Sequence, residues 1–170
     1  MTSAQDPGLA WLNALSADAA ERELHACLAT AAWARAITAC RPYQTRDALN
    51  EMADEAFGTL DWPQIEEALT AHPRIGDRPR GTGQEAAWSR GEQSNVTPDD
   101  ELREANLAYE KRFGRVFLIC ATGRTGPQIL AMLRARLDND EDTERQVTRD
   151  ELRKIAHLRL TKLLESSTDA

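Results

Sequence analysis

One histidine in this chain, His72, stands where a titratable side chain could be presented to a ligand. It lies in the segment Ala71-His72-Pro73-Arg74-Ile75-Gly76, directly after a helical pattern over residues 62–70. Proline biases His72 away from helical backbone, and Gly76 frees the backbone just beyond it. The segment therefore predicts a stiff loop that presents His72 as a general acid or base. A capping or buried structural histidine is the alternative that this segment alone leaves open.

A second set of polar residues follows on a short helical pattern. Ser89, Glu92 and Gln93 are spaced i, i+3 and i+4, so they share one face if residues 84–93 are helical. A hydroxyl, a carboxylate and an amide that point the same way could bind a small polar ligand. The same spacing is also typical of a solvated helix face.

Arg159 interrupts the apolar stripe of the last predicted helix. The stripe runs through Leu152, Ile155, Ala156 and Leu163, and Arg159 stands where a leucine is expected. A guanidinium on the core-facing side of a helix is costly unless it is paired. Arg159 therefore either forms a structural pair with a buried carboxylate or faces a cavity and holds an anionic ligand.

One apolar run of six residues, Val116-Phe117-Leu118-Ile119-Cys120-Ala121, has no second strand-like run to pair with. It predicts a buried extended segment inside a helical fold, since a sheet would lack a partner. The segment from Phe113 to Phe117, which contains Gly114, could offer backbone N–H groups to an oxyanion or a carbonyl. Cys120 is interpreted as a small buried hydrophobe and not as a nucleophile.

Helical signals dominate the rest of the chain and predict an all-α, single-domain bundle of about seven to eight helices over residues 1–170, with 1–7 and 166–170 flexible. Side chains of N-cap type begin most of the helical patterns. They are Ser16, Thr45, Asp61, Thr97 and Thr125. Gly114 is placed to end the helix that Thr97 begins. Residues 72–83 form the longest central break.

Composition excludes several classes of protein. The net charge of −7 argues against a nucleic-acid-binding surface. No apolar run reaches the length of about 18 residues that a membrane span needs. Met1–Pro7 lacks the pattern of a signal peptide, and the three cysteines show no CxxC spacing, so we expect a reduced, cytoplasmic protein. No metal-ligand spacing is present, and no metal site is expected.

Several motifs follow one another in order along nearly the whole chain, and together they carry a family resemblance. They are Trp33, Arg41-Pro42-Tyr43, His72-Pro73-Arg74-Ile75-Gly76, Ser89-Arg90-Gly91-Glu92-Gln93, Asn106-Leu107-Ala108-Tyr109-Glu110-Lys111-Arg112-Phe113-Gly114, Phe117-Leu118-Ile119-Cys120-Ala121, Gly123-Arg124, and Glu151-Leu152 through Ile155 to Leu158-Arg159-Leu160. This set resembles the 2-oxo-4-hydroxy-4-carboxy-5-ureidoimidazoline (OHCU) decarboxylases, which form (S)-allantoin in urate degradation. One departure is the short segment 94–96, where many members carry a longer, Gly-rich loop, and it affects the rim of the pocket.

The resemblance implies an all-α homodimer that decarboxylates a small molecule without a cofactor. His72 corresponds to the catalytic histidine, and Glu92 is expected to fix the imidazole tautomer or share its proton transfer. Contacts to substrate are implied for Pro73, Ser89, Gln93, Phe117, Leu118, Ile119, Cys120, Ala121 and Arg159. A non-catalytic helical module that binds a ligand or partner, and an unrelated small hydrolase or lyase, are the alternatives.

Overall fold

In a computed structural model of the chain, residues 5–77, 83–96 and 99–168 are described, and every regular element among them is an α-helix. The helices are α1 (Pro7–Ala14), α2 (Ala17–Cys27), α3 (Ala31–Ala39), α4 (Arg46–Gly58), α5 (Trp62–Leu69), α6 (Gln84–Glu92), α7 (Asp100–Phe113), α8 (Gly126–Arg136) and α9 (Glu141–Ser166). The all-α prediction is confirmed, with nine helices in these ranges instead of seven to eight. No helix among them is both long and apolar enough to cross a bilayer.

The additional helix is α1, which begins inside the stretch that we expected to be flexible. The Asp6 carboxylate accepts a hydrogen bond from the Leu9 N–H (3.1 Å), and Pro7 occupies the first helical position. Gly8 lies so close to the end of α9 that a Cβ would stand 2.2 Å from the Leu164 carbonyl oxygen. The remaining parts of the two predicted flexible termini include residues 1–4 and 169–170, which lie outside the described residues.

Most of the predicted helix starts are confirmed by side-chain hydrogen bonds to backbone N–H groups of the first turn. These caps are Ser16, Thr45, Asp61 and Thr125. The prediction for α7 was wrong, because its N-cap is Asp99, whose carboxylate accepts from the Leu102 N–H at 2.6 Å. At the positive N-terminal end of a helix, a carboxylate is a stronger hydrogen-bond acceptor than a hydroxyl group. Thr97, the predicted cap, lies outside the described residues.

The chain forms two compact units, which we call the terminal unit (Met1–Ala68 with Ile155–Ala170) and the central unit (Leu69–Lys154). In the terminal unit, α2 packs on α3 and α3 on α4. The buried Trp33 indole donates to the Ala53 carbonyl at 3.0 Å, which fixes α3 against α4. The single domain expected for residues 1–170 stays a prediction.

The core of the central unit is built from α7, α8 and the extended segment between them. Residues 116–121 have no regular secondary structure, and four of the six side chains are buried, which confirms the predicted buried extended segment. Tyr109 of α7 packs edge-on against Phe117 of the segment, with ring centroids 5.2 Å apart. The buried residues of this core are Ile75, Leu102, Ala105, Tyr109, Phe117, Ile119, Ala121, Ile129, Leu130 and Leu133.

A buried ion pair between Arg136 and Glu144 crosses this core. Glu144 has no solvent exposure, and Arg136 at the end of α8 is 6% exposed. The Glu144 carboxylate accepts hydrogen bonds from Arg136 Nε (2.8 Å), the Tyr109 hydroxyl (2.6 Å) and Asn139 Nδ2 (2.9 Å). Burial, and then the hydrogen bond with Glu144, raise the pKa of Tyr109 to about 12. Both charged groups are thus paired and hydrogen-bonded, as burial requires.

The same arginine holds the extended segment in place. Arg136 Nη1 donates to the Leu118 carbonyl at 2.6 Å, and its guanidinium carbon lies 4.5 Å from the centroid of the Phe117 ring. A buried carbonyl in a segment without helix or sheet partners needs such a donor. Arg136 therefore contributes hydrogen bonds to α9 and to the segment at once.

We expect Glu144→Gln to lower the free energy of unfolding by about 3–5 kcal/mol, because the substitution leaves the Arg136 charge buried without its anion. Equilibrium denaturation in urea measures the change. The matched control is Glu101→Gln, which removes an exposed carboxylate that pairs with Arg134 at 3.0 Å and costs at most about 1 kcal/mol. Equal losses in the two variants would contradict the structural role of the buried pair.

Candidate active site

His72 lies in a tight turn that follows α5. Its backbone N–H donates to the Leu69 carbonyl at 3.0 Å, and Pro73 follows it directly. The residue is buried, with 9% of its surface exposed. The imidazole is therefore not a surface group in bulk water, which is a requirement for the acid–base role expected from the sequence.

Helix α7 holds the two residues that follow the His72-Pro73 pair. Arg74 forms two parallel hydrogen bonds with the Glu110 carboxylate, at 2.7 and 2.8 Å. The Ile75 side chain is part of the central core, and its carbonyl accepts from Asn106 Nδ2 at 2.9 Å. Two polar contacts and one apolar anchor thus fix the loop on α7.

Helix α6 holds the next residue of the loop. The Gly76 N–H donates to the Gln93 side-chain oxygen at 3.0 Å. Gly76 has a φ of +91°, a conformation that residues other than glycine rarely adopt, and an added Cβ would stand 3.2 Å from Leu102. Gln93 caps the C-terminus of α6, so its amide joins the end of that helix to the His72 loop.

The polar face of α6 is not simply solvated. Ser89 is buried, with 2% exposure, and both Glu92 and Gln93 are partly buried. The solvated-face alternative is therefore wrong for Ser89. The helix ends at Glu92, one residue before the predicted end, and Gln93 is its C-cap.

The extended segment is anchored to α9 at Cys120. Cys120 is partly buried, and its backbone N–H donates to Glu151 of α9 at 2.8 Å. Burial raises the pKa of the Cys120 thiol, and the charges of Glu151 and Glu92 raise it further against a hydrogen bond with the Thr122 backbone. The negative charge of Glu92, on α6, is thus one of the groups that disfavour the Cys120 thiolate.

The end of α6 therefore contacts the His72 loop through Gln93 and acts on the extended segment through Glu92. The hydrogen bond from Gly76 to Gln93 thus joins the predicted loop to the predicted helix face within the central unit. No group of three histidine, cysteine, aspartate or glutamate side chains in the described ranges is arranged to hold a metal ion.

Arg159 lies in the terminal unit and is 1% exposed. Its burial confirms that it lies on the core-facing side of α9, as the apolar stripe predicted. Contact between Arg159 and substrate stays a prediction of the family resemblance.

Three residues that hold the loop and the extended segment carry no role predicted from the sequence. They are Asn106, Glu110 and Glu151, and each lies within a motif that carries the resemblance. The signal for the first two is their i, i+4 spacing on α7, which places a carboxamide and a carboxylate on one face. That spacing did not stand out because exposed helix faces show it as well.

Comparison with known proteins identifies the family of this chain. The family model described as OHCU decarboxylase matches residues 13–161. The chain belongs to the OHCU decarboxylase family. The match spans every residue singled out above, from His72 to Arg159.

Individual relatives support the same assignment. The chain is 32% identical over 139 residues to 2-oxo-4-hydroxy-4-carboxy-5-ureidoimidazoline decarboxylase of Amia calva, covering 78% of this chain and 79% of that protein. It is also 32% identical over 151 residues to the uric acid degradation bifunctional protein TTL of Arabidopsis thaliana, covering 84% of this chain but only 47% of that longer protein. A crystal structure of OHCU decarboxylase in the presence of (S)-allantoin superposes with a TM-score of 0.68 at 28% identity, covering 84% of this chain and 97% of that one.

We expect Glu92→Gln to lower the pKa of the Cys120 thiol, because the substitution removes one of the negative charges that disfavour the thiolate. The pH dependence of Cys120 alkylation, followed by mass spectrometry of the labelled peptide, measures this pKa. Glu85→Gln, in the first turn of α6, makes the same change in net charge and serves as the control. An unchanged pKa in the Glu92 variant would mean that Glu92 lies away from the extended segment.

Proposed function

We propose that this chain catalyses the decarboxylation of 2-oxo-4-hydroxy-4-carboxy-5-ureidoimidazoline to (S)-allantoin, with His72 as its acid–base group and no cofactor. Membership of the OHCU decarboxylase family over residues 13–161 is the observation that carries the activity. The buried His72, on a loop fixed by α6 and α7, supports the role of the histidine.

The proposed reaction depends on proton transfers at defined atoms of the substrate and does not depend on a cofactor. The bond from ring carbon 4 to the carboxylate breaks, and carbon dioxide leaves without the electron pair. That pair forms a double bond between ring carbons 4 and 5 as the ring imine takes up the charge. His72 accepts the proton of the 4-hydroxyl group and donates a proton to carbon 5, which carries the ureido group. A second proton, taken from solvent, neutralises the ring nitrogen that received the electron pair. The product is allantoin, with its carbonyl at carbon 4 and its single stereocentre at carbon 5.

Glu92 and the extended segment supply the remaining functions. In this proposal, Glu92 fixes the tautomer of the His72 imidazole or shares its proton transfer. Backbone amides of the segment from Phe117 to Ala121, other than that of Cys120, which donates to Glu151, stabilise the negative charge that develops on the ring. A pocket with His72 on one wall and this segment on the other admits the proton from one side, which accounts for a single enantiomer.

Substrate binding is assigned to the residues that the resemblance implies in the central unit, led by Pro73, Ser89 and Gln93. The homodimer and the cytoplasmic location remain predictions from the sequence. A non-catalytic binding module gains no support, because the chain belongs to the OHCU decarboxylase family over residues 13–161.

We expect His72→Ala to fold normally and to lose about 10²–10⁴-fold in turnover, which is the contribution of a well-placed general acid or base. The substrate is generated from urate enzymatically, and the growth of the (S)-allantoin circular-dichroism signal gives the rate. His25→Ala is the matched control, because His25 is an exposed residue of α2. Full activity in the His72 variant would remove the proposed mechanism.

We expect Glu92→Gln to lower kcat strongly with little change in KM, because the carboxylate acts on the imidazole during proton transfer. Steady-state rates from the same optical assay, measured over a range of substrate concentrations, give both constants. A rise in KM at constant kcat would instead make Glu92 a residue that binds the substrate.

A further inference from the structure

Three consecutive residues after the His72-Pro73 pair are each held by a different side chain. Arg74 is bound by Glu110, the Ile75 carbonyl by Asn106, and the Gly76 N–H by Gln93. Gln93 already belongs to the proposed substrate site. The other two side chains lie one helical turn apart on α7, on the same face.

Asn106 is a costly residue at its position. It is 1% exposed, and Nδ2 donates to Ile75, while Oδ1 accepts no hydrogen bond from the described residues. A buried amide with one unsatisfied atom destabilises a fold. A leucine would satisfy the burial but would remove the donor that the Ile75 carbonyl uses. The contact with the loop is therefore what the structure gains from an asparagine here.

The space beside Asn106 argues against direct contact with substrate there. The cavity between the loop and α7 measures about 20 Å³ and is lined by Arg74–Asp77 and by Asp99, Leu102, Arg103 and Asn106. A volume of that size is on the scale of one water molecule. Asn106 therefore acts on this side through the loop.

Glu110 fixes the orientation of the Arg74 side chain more than it stabilises the fold. The side chains of Arg74 and Glu110 are 34% and 23% exposed, so solvent screens much of their attraction. Their two parallel hydrogen bonds nevertheless fix the direction in which Arg74 leaves the loop. Glu110 also raises the pKa of the Arg74 guanidinium, first through the hydrogen bonds and then through its charge.

Pro73 connects these contacts to His72. Its ring locks φ near −65°, and it restricts the backbone of the residue before it as well. A displacement of Arg74 or Ile75 therefore also displaces His72, because the restricted backbone at Pro73 can adjust only a little. A shift of about 1 Å at a catalytic group can cost on the order of 10²-fold in rate.

We infer that Asn106 and Glu110 are positioning residues for His72, which hold its loop through the Ile75 carbonyl and the Arg74 guanidinium. This inference rests on the proposed acid–base function of His72. Neither residue needs to touch the reacting atoms, because each acts through the loop backbone.

The test combines Asn106→Ala and Glu110→Ala with His72→Ala. In the chain with His72 intact, each variant is expected to lower kcat about 10- to 100-fold with KM nearly unchanged. In the His72→Ala background, each is expected to change the residual rate by less than about twofold, because the group that they position is gone. Rates come from the growth of the (S)-allantoin circular-dichroism signal.

Two controls keep the test decisive. Glu104→Ala removes an exposed carboxylate of α7 and is expected to leave kcat unchanged. Far-UV circular dichroism and urea midpoints report folding, and if Asn106→Ala does not fold, the partly exposed Glu110 still supports the full comparison.

The outcomes separate this inference from the proposed function. Full activity of His72→Ala would overturn the function itself. A slow His72→Ala enzyme combined with wild-type kcat in the folded α7 variants would overturn only the positioning role. A rise in KM alone, or an equal loss of rate with and without His72, would also overturn it, because the effect would then bypass the histidine.

Discussion

The central unit depends on one buried carboxylate, that of Glu144, and on the arginine that neutralises it. Arg136 and Glu144 join the end of α8 to α9, and Tyr109 joins α7 to the same carboxylate. Arg136 also supplies the donor for the Leu118 carbonyl in a segment that has neither helix nor sheet partners. A purely apolar core could pack these helices, but it would leave that carbonyl without a partner.

This network supports both walls of the candidate site, which are the extended segment and the His72 loop. The extended segment is held by Arg136 at Leu118 and by Glu151 at Cys120. The His72 loop is held from α7, and α7 is itself fixed through Tyr109 to the buried pair. Polar contacts from rigid helices therefore place a loop and an irregular segment with the accuracy that proton transfer requires.

Local signals predicted much of the fold, and contacts between distant residues explain the rest. Caps such as Thr125 and the stop at Gly114 act within one turn, so the sequence alone identified them. Helix α1 was missed because its start depends on Asp6 and its packing on Gly8, each a weak signal alone. Glu144 resembles a solvated residue in the sequence, since its partners come from three other parts of the chain. His72, the polar residues of α6 and Arg159 stood out from residue type and spacing, and the resemblance supplied their proposed roles. Asn106 and Glu110 became apparent only from their contacts.

The central claim is that a buried, rigidly held His72 acts on the bound ureidoimidazoline ring. Nuclear magnetic resonance of the protein with isotope-labelled histidine, titrated with (S)-allantoin, tests it most directly. Loss of one imidazole signal set in His72→Gln assigns His72 among the three histidines. We expect the His72 signals to shift progressively and saturate with allantoin while those of His25 stay in place. Unmoved His72 signals at a concentration that saturates changes elsewhere in the protein would contradict the account.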